Sequence, residues 1–200
     1  EAAEADIEFA RGRFTIAGTD RSIGIMELAA KLRGGLKLPE GVPATLDVAH
    51  VHEAAPSAFP NGCHVAEVEV DPETGVVAVV RYTAVNDFGN VVNPLLVEGQ
   101  VHGGVAQGIG QALMESVRYD EHGSILTGSY MDYALPRAAD VPGFVFATHS
   151  VPAKTNVLGA KGCGEAGCAG ALPSVMNALV DALSELGIRS IDMPATPSRV

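Results

Sequence analysis

Glu165 stands in the run G-A-K-G-C-G-E-A-G, Gly159 to Gly167, where Lys161 is the only other charged residue and most of the rest are glycine. Glycines let backbone come close to another group, and a carboxylate carried on such a loop can act as a general base. The same residue on a glycine-rich loop is also simply a solvated surface acid, and the motif alone leaves both readings open. The run contains G-x-G-x-x-G at Gly162, Gly164 and Gly167. A dinucleotide fold needs that motif between a strand and a helix. Here the preceding strand ends near Val151 and Pro173 interrupts the approach to the next helix, so the dinucleotide reading is rejected. A P-loop is rejected too, because Lys161 is followed by Gly162 rather than Ser or Thr.

A second constellation is G-Q-V-H-G-G-V-A-Q-G-I-G-Q, from Gly99 to Gln111. Gln100, Gln107 and Gln111 carry amides that both donate and accept, which suits a ligand edge presenting donors and acceptors side by side. The competing reading is a tightly packed helix whose small residues admit a second helix, and composition does not separate the two. His50, His52 and His64 read as surface or hydrogen-bonded groups rather than metal ligands, so no metal-binding side chain is assigned. Asn86, Asp87 and Asn93 read as turn residues. Cys163 reads as a small residue filling a tight loop.

These groups need a scaffold. Ile7, Phe9, Phe14 and Ile16 alternate with polar neighbours around Arg11-Gly12, which predicts a hairpin over 7–17. A short helix follows over 24–33, capped by Ser22, with Ile25, Leu28, Ala29 and Leu32 on one face. Residues 34–61 read as a long connecting loop. Over 64–85, Ala66, Val68 and Val70 alternate with Glu67 and Glu69, then Asp71 to Gly75 forms a turn and Val76 to Tyr82 returns. Asn90–Pro94 is a break, and 95–115 ends in a helical pattern. A strand pair is expected around Asp120 to Gly123, and a strand over 144–151. Five glycines within 159–170 predict a loop. The apolar stripe Leu172, Val175, Met176, Leu179, Val180, Leu183 and Leu186 predicts a helix over 171–186, stopped by Gly187. The fold class is α+β, with mixed or antiparallel sheets and packed helices.

The 200 residues carry a formal net charge of -11, which repels nucleic-acid phosphates and excludes that class of partner. No apolar run is long enough to span a bilayer. Cys63, Cys163 and Cys168 have neither framework nor cluster spacing, which excludes a disulfide scaffold and makes an iron–sulfur or structural zinc site improbable. The first residues are acidic and alanine-rich, unlike a signal peptide, and without an initiating Met the chain is expected to be part of something longer.

Together, F-P-N-G-C-H-V-A-E-V-E-V-D (Phe59–Asp71), N-P-L-L-V-E-G-Q-V-H-G-G-V-A-Q-G-I-G-Q-A-L (Asn93–Leu113), K-T-N-V-L-G-A-K-G-C-G-E-A-G (Lys154–Gly167), the N-A-L-V-D-A-L helix and M-P-A-T-P (Met193–Pro197) resemble the xanthine oxidase family of molybdenum hydroxylases. The resemblance lies in the C-terminal part of the large, molybdopterin-binding subunit and is nearest the aerobic carbon monoxide dehydrogenase group. It implies one cofactor-binding part over 1–200: a lead-in helix and loop over 1–55, then a part over 56–200 bearing the cofactor and catalytic loops. It implies molybdenum in a molybdopterin cofactor, in the cytosine dinucleotide form, and hydroxylation of a carbon centre with oxygen from water. Glu165 falls on the family's base, which takes the proton from a molybdenum-bound hydroxyl. Gln100 falls on the cofactor-contacting glutamine, with Gly99, Gly104 and Gln107 beside it. Lys161, Gly162, Cys163 and Gly164 fall on the loop whose backbone approaches the cofactor.

Further expectations follow from the resemblance. The partners are the rest of the large subunit, an iron–sulfur small subunit, an FAD-binding medium subunit and a small-molecule substrate. The compartment is the cytoplasm, with membrane association and the periplasm left open. The family's substrate loop and the copper-bearing cysteine of carbon monoxide dehydrogenases lie outside these residues, so the substrate stays open. Alone, the chain is expected to be inactive and to carry no cofactor. The alternative function is a non-catalytic assembly or binding module that keeps the fold without the cofactor.

Overall fold

The computed structural model describes residues 2–53 and 56–200. Ala54 and Ala55, within the loop expected over 34–61, lie outside the described residues. The chain forms two compact units, Glu1–Glu53 and Ala54–Val200.

In the first unit, β1 (Ile7–Ala10) and β2 (Arg13–Ile16) pair antiparallel, Ile7 opposite Ile16. Arg11 and Gly12 turn the chain with φ of 51° and 75°, the left-handed pair that matches strand twist in a two-residue hairpin. A third strand, β3 (Ser22–Gly24), adds to β2, and α1 (Ile25–Arg33) follows without a break. Ser22 is therefore not the helix cap. It lies in β3 and accepts a 2.8 Å hydrogen bond from the Arg13 guanidinium, while Gly24 occupies the cap position with no side-chain bond. Strand pairing to β2 takes the hydroxyl away from the helix.

In the second unit, β4 (Asn61–Val70) and β5 (Val77–Asp87) form a long antiparallel hairpin. The Asp71 carboxylate closes its turn by accepting from the N–H groups of Glu73 and Thr74, and Gly75 supplies a φ of 72°. As expected, Ala66, Val68 and Val70 turn inward while Glu67 and Glu69 stay exposed. The third strand, β6 (Phe144–Thr148), runs parallel to β5, Tyr82 opposite Phe144, so the sheet is mixed and ordered β4-β5-β6. Around Asp120 there is a single bridge, Tyr119 to Ile125, rather than a strand pair, because the Asp120 carboxylate holds His122 and Ser124 N–H groups in a tight turn.

Two helices complete the unit. α2 (Pro94–Leu113) begins at Asn93, whose side chain caps it by accepting from Leu96 N–H, with Pro94 in the first turn. α3 (Ala166–Ala182) starts five residues earlier than its apolar stripe predicts, so 166–170 is helix and not loop. Each glycine in a helix costs about 1 kcal/mol of intrinsic preference. Here the glycines are contact points: a Cβ at Gly167 would lie 2.5 Å from the Val101 carbonyl oxygen, and one at Gly170 would lie 2.3 Å from His64 Nδ1. Pro173 sits inside α3 on its exposed side and does not end it. α3 stops at Ala182, and Gly187, at φ 82°, closes the short 3-10 turn Ser184–Leu186 that follows.

Val101, Val105, Ile109 and Ala112 of α2 meet Ala171, Val175 and Leu179 of α3 and Val79, Tyr82 and Ala84 of β5 in one core. Burying the valines, Ile109 and Leu179 contributes about 1.5–3 kcal/mol each and offsets the glycine penalty.

Candidate active site

The site grows from the end of β5. Asp87 and Asn86 are buried there, not placed in a solvated turn as their residue types predict. The Asp87 carboxylate has three donors. Its Oδ2 accepts from the Lys161 ammonium, and its Oδ1 from the N–H groups of Gly89 and Val151, each at 2.9 Å. The Lys161 bond first, then those from Val151 and Gly89, hold the carboxyl down to about 2. The pair is nearly enclosed, with the Lys161 and Asp87 side chains 11% and 12% exposed. The signal that could have revealed Asp87 is an acid ending a strongly apolar strand while a single lysine stands in a distant glycine loop.

Backbone bonds complete the seam. Asn90 N–H donates to the Gly159 carbonyl, Gly89 bridges Ala160, and Lys161 N–H donates to the Phe88 carbonyl at 2.8 Å. Gly89, at φ 62°, admits this approach: a Cβ there would meet the Gly159 carbonyl oxygen. Among the residues expected to approach a cofactor, Lys161 thus spends both its N–H and its ammonium on holding the loop.

Beyond Lys161 the loop is free. The N–H groups of Gly162, Cys163, Gly164 and Glu165 find no acceptor among the described residues, and the next bond is Ala169 N–H to the Glu165 carbonyl. Gly162, Gly164 and Glu165 are exposed, and Cys163 is half-buried against the core as a small filler. The Glu165 carboxylate makes no hydrogen bond or ion pair among the described residues.

α2 supplies the neighbouring surface. Gly99, Gln100, Gly103 and Gln107 are exposed, and neither glutamine amide has a partner among the described residues. Gly104 is different: it is buried, and a Cβ there would lie 2.9 Å from the Cys168 backbone nitrogen. The packed-helix reading of the glycine–glutamine run holds on one face of α2, and the glutamines lie on an adjacent face that stays exposed. Gly104 and Gly108 admit α3, while Gly99, Gln100, Gly103 and Gln107 remain outside. Because Gly167 abuts Val101 and Val105, Gln100 and Glu165 lie within two residues of one backbone contact. Free N–H groups, unpartnered amides, and open space at Gly99, Gly103, Gly162 and Gly164 fit a large ligand rich in acceptors.

His50 and His52 are exposed, and no group of three or more His, Cys, Asp or Glu side chains converges among the described residues. His64 joins a half-buried chain: the Asn86 amide at 3.1 Å on Nε2, the Tyr82 hydroxyl at 2.7 Å on Nδ1, then Ser174. No helix among the described residues is long and apolar enough to cross a membrane.

The comparisons with known proteins identify the family. The model of the molybdopterin cofactor-binding domain matches residues 1–142. Nicotine 6-hydroxylase large subunit from Paenarthrobacter nicotinovorans is 37% identical over 100% of this chain and 25% of its own length. Carbon monoxide dehydrogenase large chain from Hydrogenophaga pseudoflava is 32% identical over the same shares. The crystal structure of quinoline 2-oxidoreductase from Pseudomonas putida 86 superposes with a TM-score of 0.87 at 36% identity, over 99% of this chain and 25% of that one. The chain therefore belongs to the molybdopterin-binding large subunits of the molybdenum hydroxylases, the xanthine oxidase and carbon monoxide dehydrogenase family of oxidoreductases. It spans about a quarter of the length of the relatives it matches.

Proposed function

We propose that this chain carries the base and part of the cofactor cradle of a molybdenum hydroxylase that oxidises a carbon centre with oxygen from water. One observation carries the reading: Glu165 presents its carboxylate at the head of α3, directly after Gly162, Cys163 and Gly164, and among the described residues neither that carboxylate nor their N–H groups have a partner. When bound, the molybdopterin cofactor, in its cytosine dinucleotide form, supplies a molybdenum centre that takes two electrons from the substrate carbon.

This chain's residues do the rest. The N–H groups of Gly162, Cys163 and Gly164 donate to acceptors on the cofactor, and Lys161 keeps that stretch in place. Gln100 and Gln107 offer paired donors and acceptors, with Gly99 and Gly103 leaving room beside them, while Gly104 sets the helix crossing from behind. Glu165 accepts the proton released as the water-derived oxygen attacks. Residues 56–200 hold these elements and residues 1–55 lead into them. The rest of the large subunit, an iron–sulfur subunit and an FAD subunit complete the cytoplasmic enzyme and carry electrons away.

The test is Glu165→Gln in the complete enzyme. Glutamine keeps the volume but takes no proton at neutral pH, and losing a positioned base costs about 100- to 10,000-fold. Molybdenum per chain is measured together with the rate of enzyme reduction by nicotine, quinoline or carbon monoxide, without an electron acceptor. Full metal with a collapsed rate supports the base. Lost metal makes Glu165 structural, and an undiminished rate removes it from the mechanism.

A further inference from the structure

Glu165 sits between two fixed points. On one side Lys161 is tied to Phe88 through its N–H and to Asp87 through its ammonium. On the other, Gly167 abuts the α2 backbone at Val101 and Val105. Between them the N–H groups of Gly162, Cys163, Gly164 and Glu165 are held by no hydrogen bond among the described residues. Where the carboxylate points therefore depends on where those two ends are pinned.

The pin at Lys161 is unusual for a purely stabilising contact. A buried ion pair costs desolvation, and an apolar pair of the same volume usually stabilises a fold as well or better. What an ion pair adds is direction. The Asp87 carboxylate gathers three segments: the end of β5 through Gly89 N–H, the stretch after β6 through Val151 N–H, and the glycine loop through the Lys161 ammonium. With its side chain 11% exposed and bonded to Asp87, the Lys161 ammonium faces a carboxylate, not a cofactor phosphate.

We infer that Asp87 and Lys161 are a positioning pair that sets the loop carrying Glu165, acting on catalysis through Glu165 and not by touching cofactor or substrate. The inference rests on the reading of Glu165 as the base. It assigns Lys161 to the loop's anchor and the cofactor contacts to Gly162, Cys163 and Gly164.

The test uses the complete cofactor-loaded enzyme with Lys161→Met, Asp87→Asn, the two combined, and Lys161→Arg. Either single substitution strands a buried group, whereas the combination removes both charges and restores overall stability. In the combination, amide hydrogen exchange over 160–165 is expected to quicken at least tenfold while exchange elsewhere stays at the parent level. Its limiting rate of reduction by the active substrate of the panel above is expected to fall at least tenfold. The half-saturating substrate concentration and molybdenum content stay near the parent values. Lys161→Arg, which keeps charge and donor, should retain most of the rate. Parent-like exchange over 160–165 in the combined variant overturns the inference, as does parent-like reduction despite quickened exchange. Destabilisation spread over the whole chain in the combined variant also overturns it, because the pair is then only structural. Glu165→Gln, run in parallel, separates the two ideas. If that variant reduces at the parent rate, the base reading fails, and the pair's hold on the loop is judged by exchange alone.

Discussion

Gly104 of α2 and Gly167 of α3 meet backbone to backbone: a Cβ added to either would lie 3.0 Å from the Cα of the other. This contact sets the crossing of the helices that carry Gln100 and Glu165. Adding a methyl group there forces the backbones apart, and overpacking of this kind costs about 1–3 kcal/mol. Gly104→Ala is expected to lower stability by that amount in chemical denaturation. Gly103→Ala, one residue away with nothing within 4 Å of the new Cβ, is expected to gain up to about 1 kcal/mol from helix propensity. Equal effects at the two positions would mean that the close approach is not real.

Gln100→Ala in the complete subunit is expected to lower cofactor occupancy. Removing the amide leaves a buried group of the cofactor without its partner, at a cost of about 1–3 kcal/mol. Molybdenum and pterin content at limiting cofactor supply reads this directly. Parent-level content would return Gln100 to the surface.

Asp87 should shape the acid limb of the stability curve. Its carboxyl is lowered from 3.8 to about 2, chiefly by the Lys161 bond. A carboxylate depressed by folding contributes fully above its unfolded value and loses that contribution as pH falls through the folded one. Stability of the parent should therefore fall more steeply than that of Asp87→Asn as the pH drops from roughly 4 to 2. Parallel curves for the two proteins would show that the pair does not form in solution.

His64 should respond in the same direction but at higher pH. Burial favours its neutral form and lowers its value below 6.5, with the Asn86 bond opposing in part. The unfolded chain then binds the proton more readily, so stability is complete above 6.5 and declines as pH falls through that value. An imidazole titration followed by NMR should give a midpoint below 6.5. A midpoint above it would mean that a carboxylate reaches the ring or that the ring is exposed.

The sequence by itself determined the class of fold, the family and the local elements whose signals are short-range. The alternation from His64 to Val70, the Asp71–Gly75 turn and the Arg11-Gly12 hairpin are written in residues that touch each other along the chain. The two glycine-rich motifs marked where a site must lie. Tertiary structure decided what each residue in them does. Gly99 and Gly104 read alike in sequence, yet one faces open space and the other is buried against α3, because only the helix crossing separates the faces. Residues 166–170 read as loop because local propensity penalises glycine, and contacts with α2 and His64 overrule that penalty. Asp87 and Lys161 stand 74 residues apart, so no local pattern could pair them. Only folding brings β5 and the loop together and turns a presumed turn acid into the buried anchor of the candidate base.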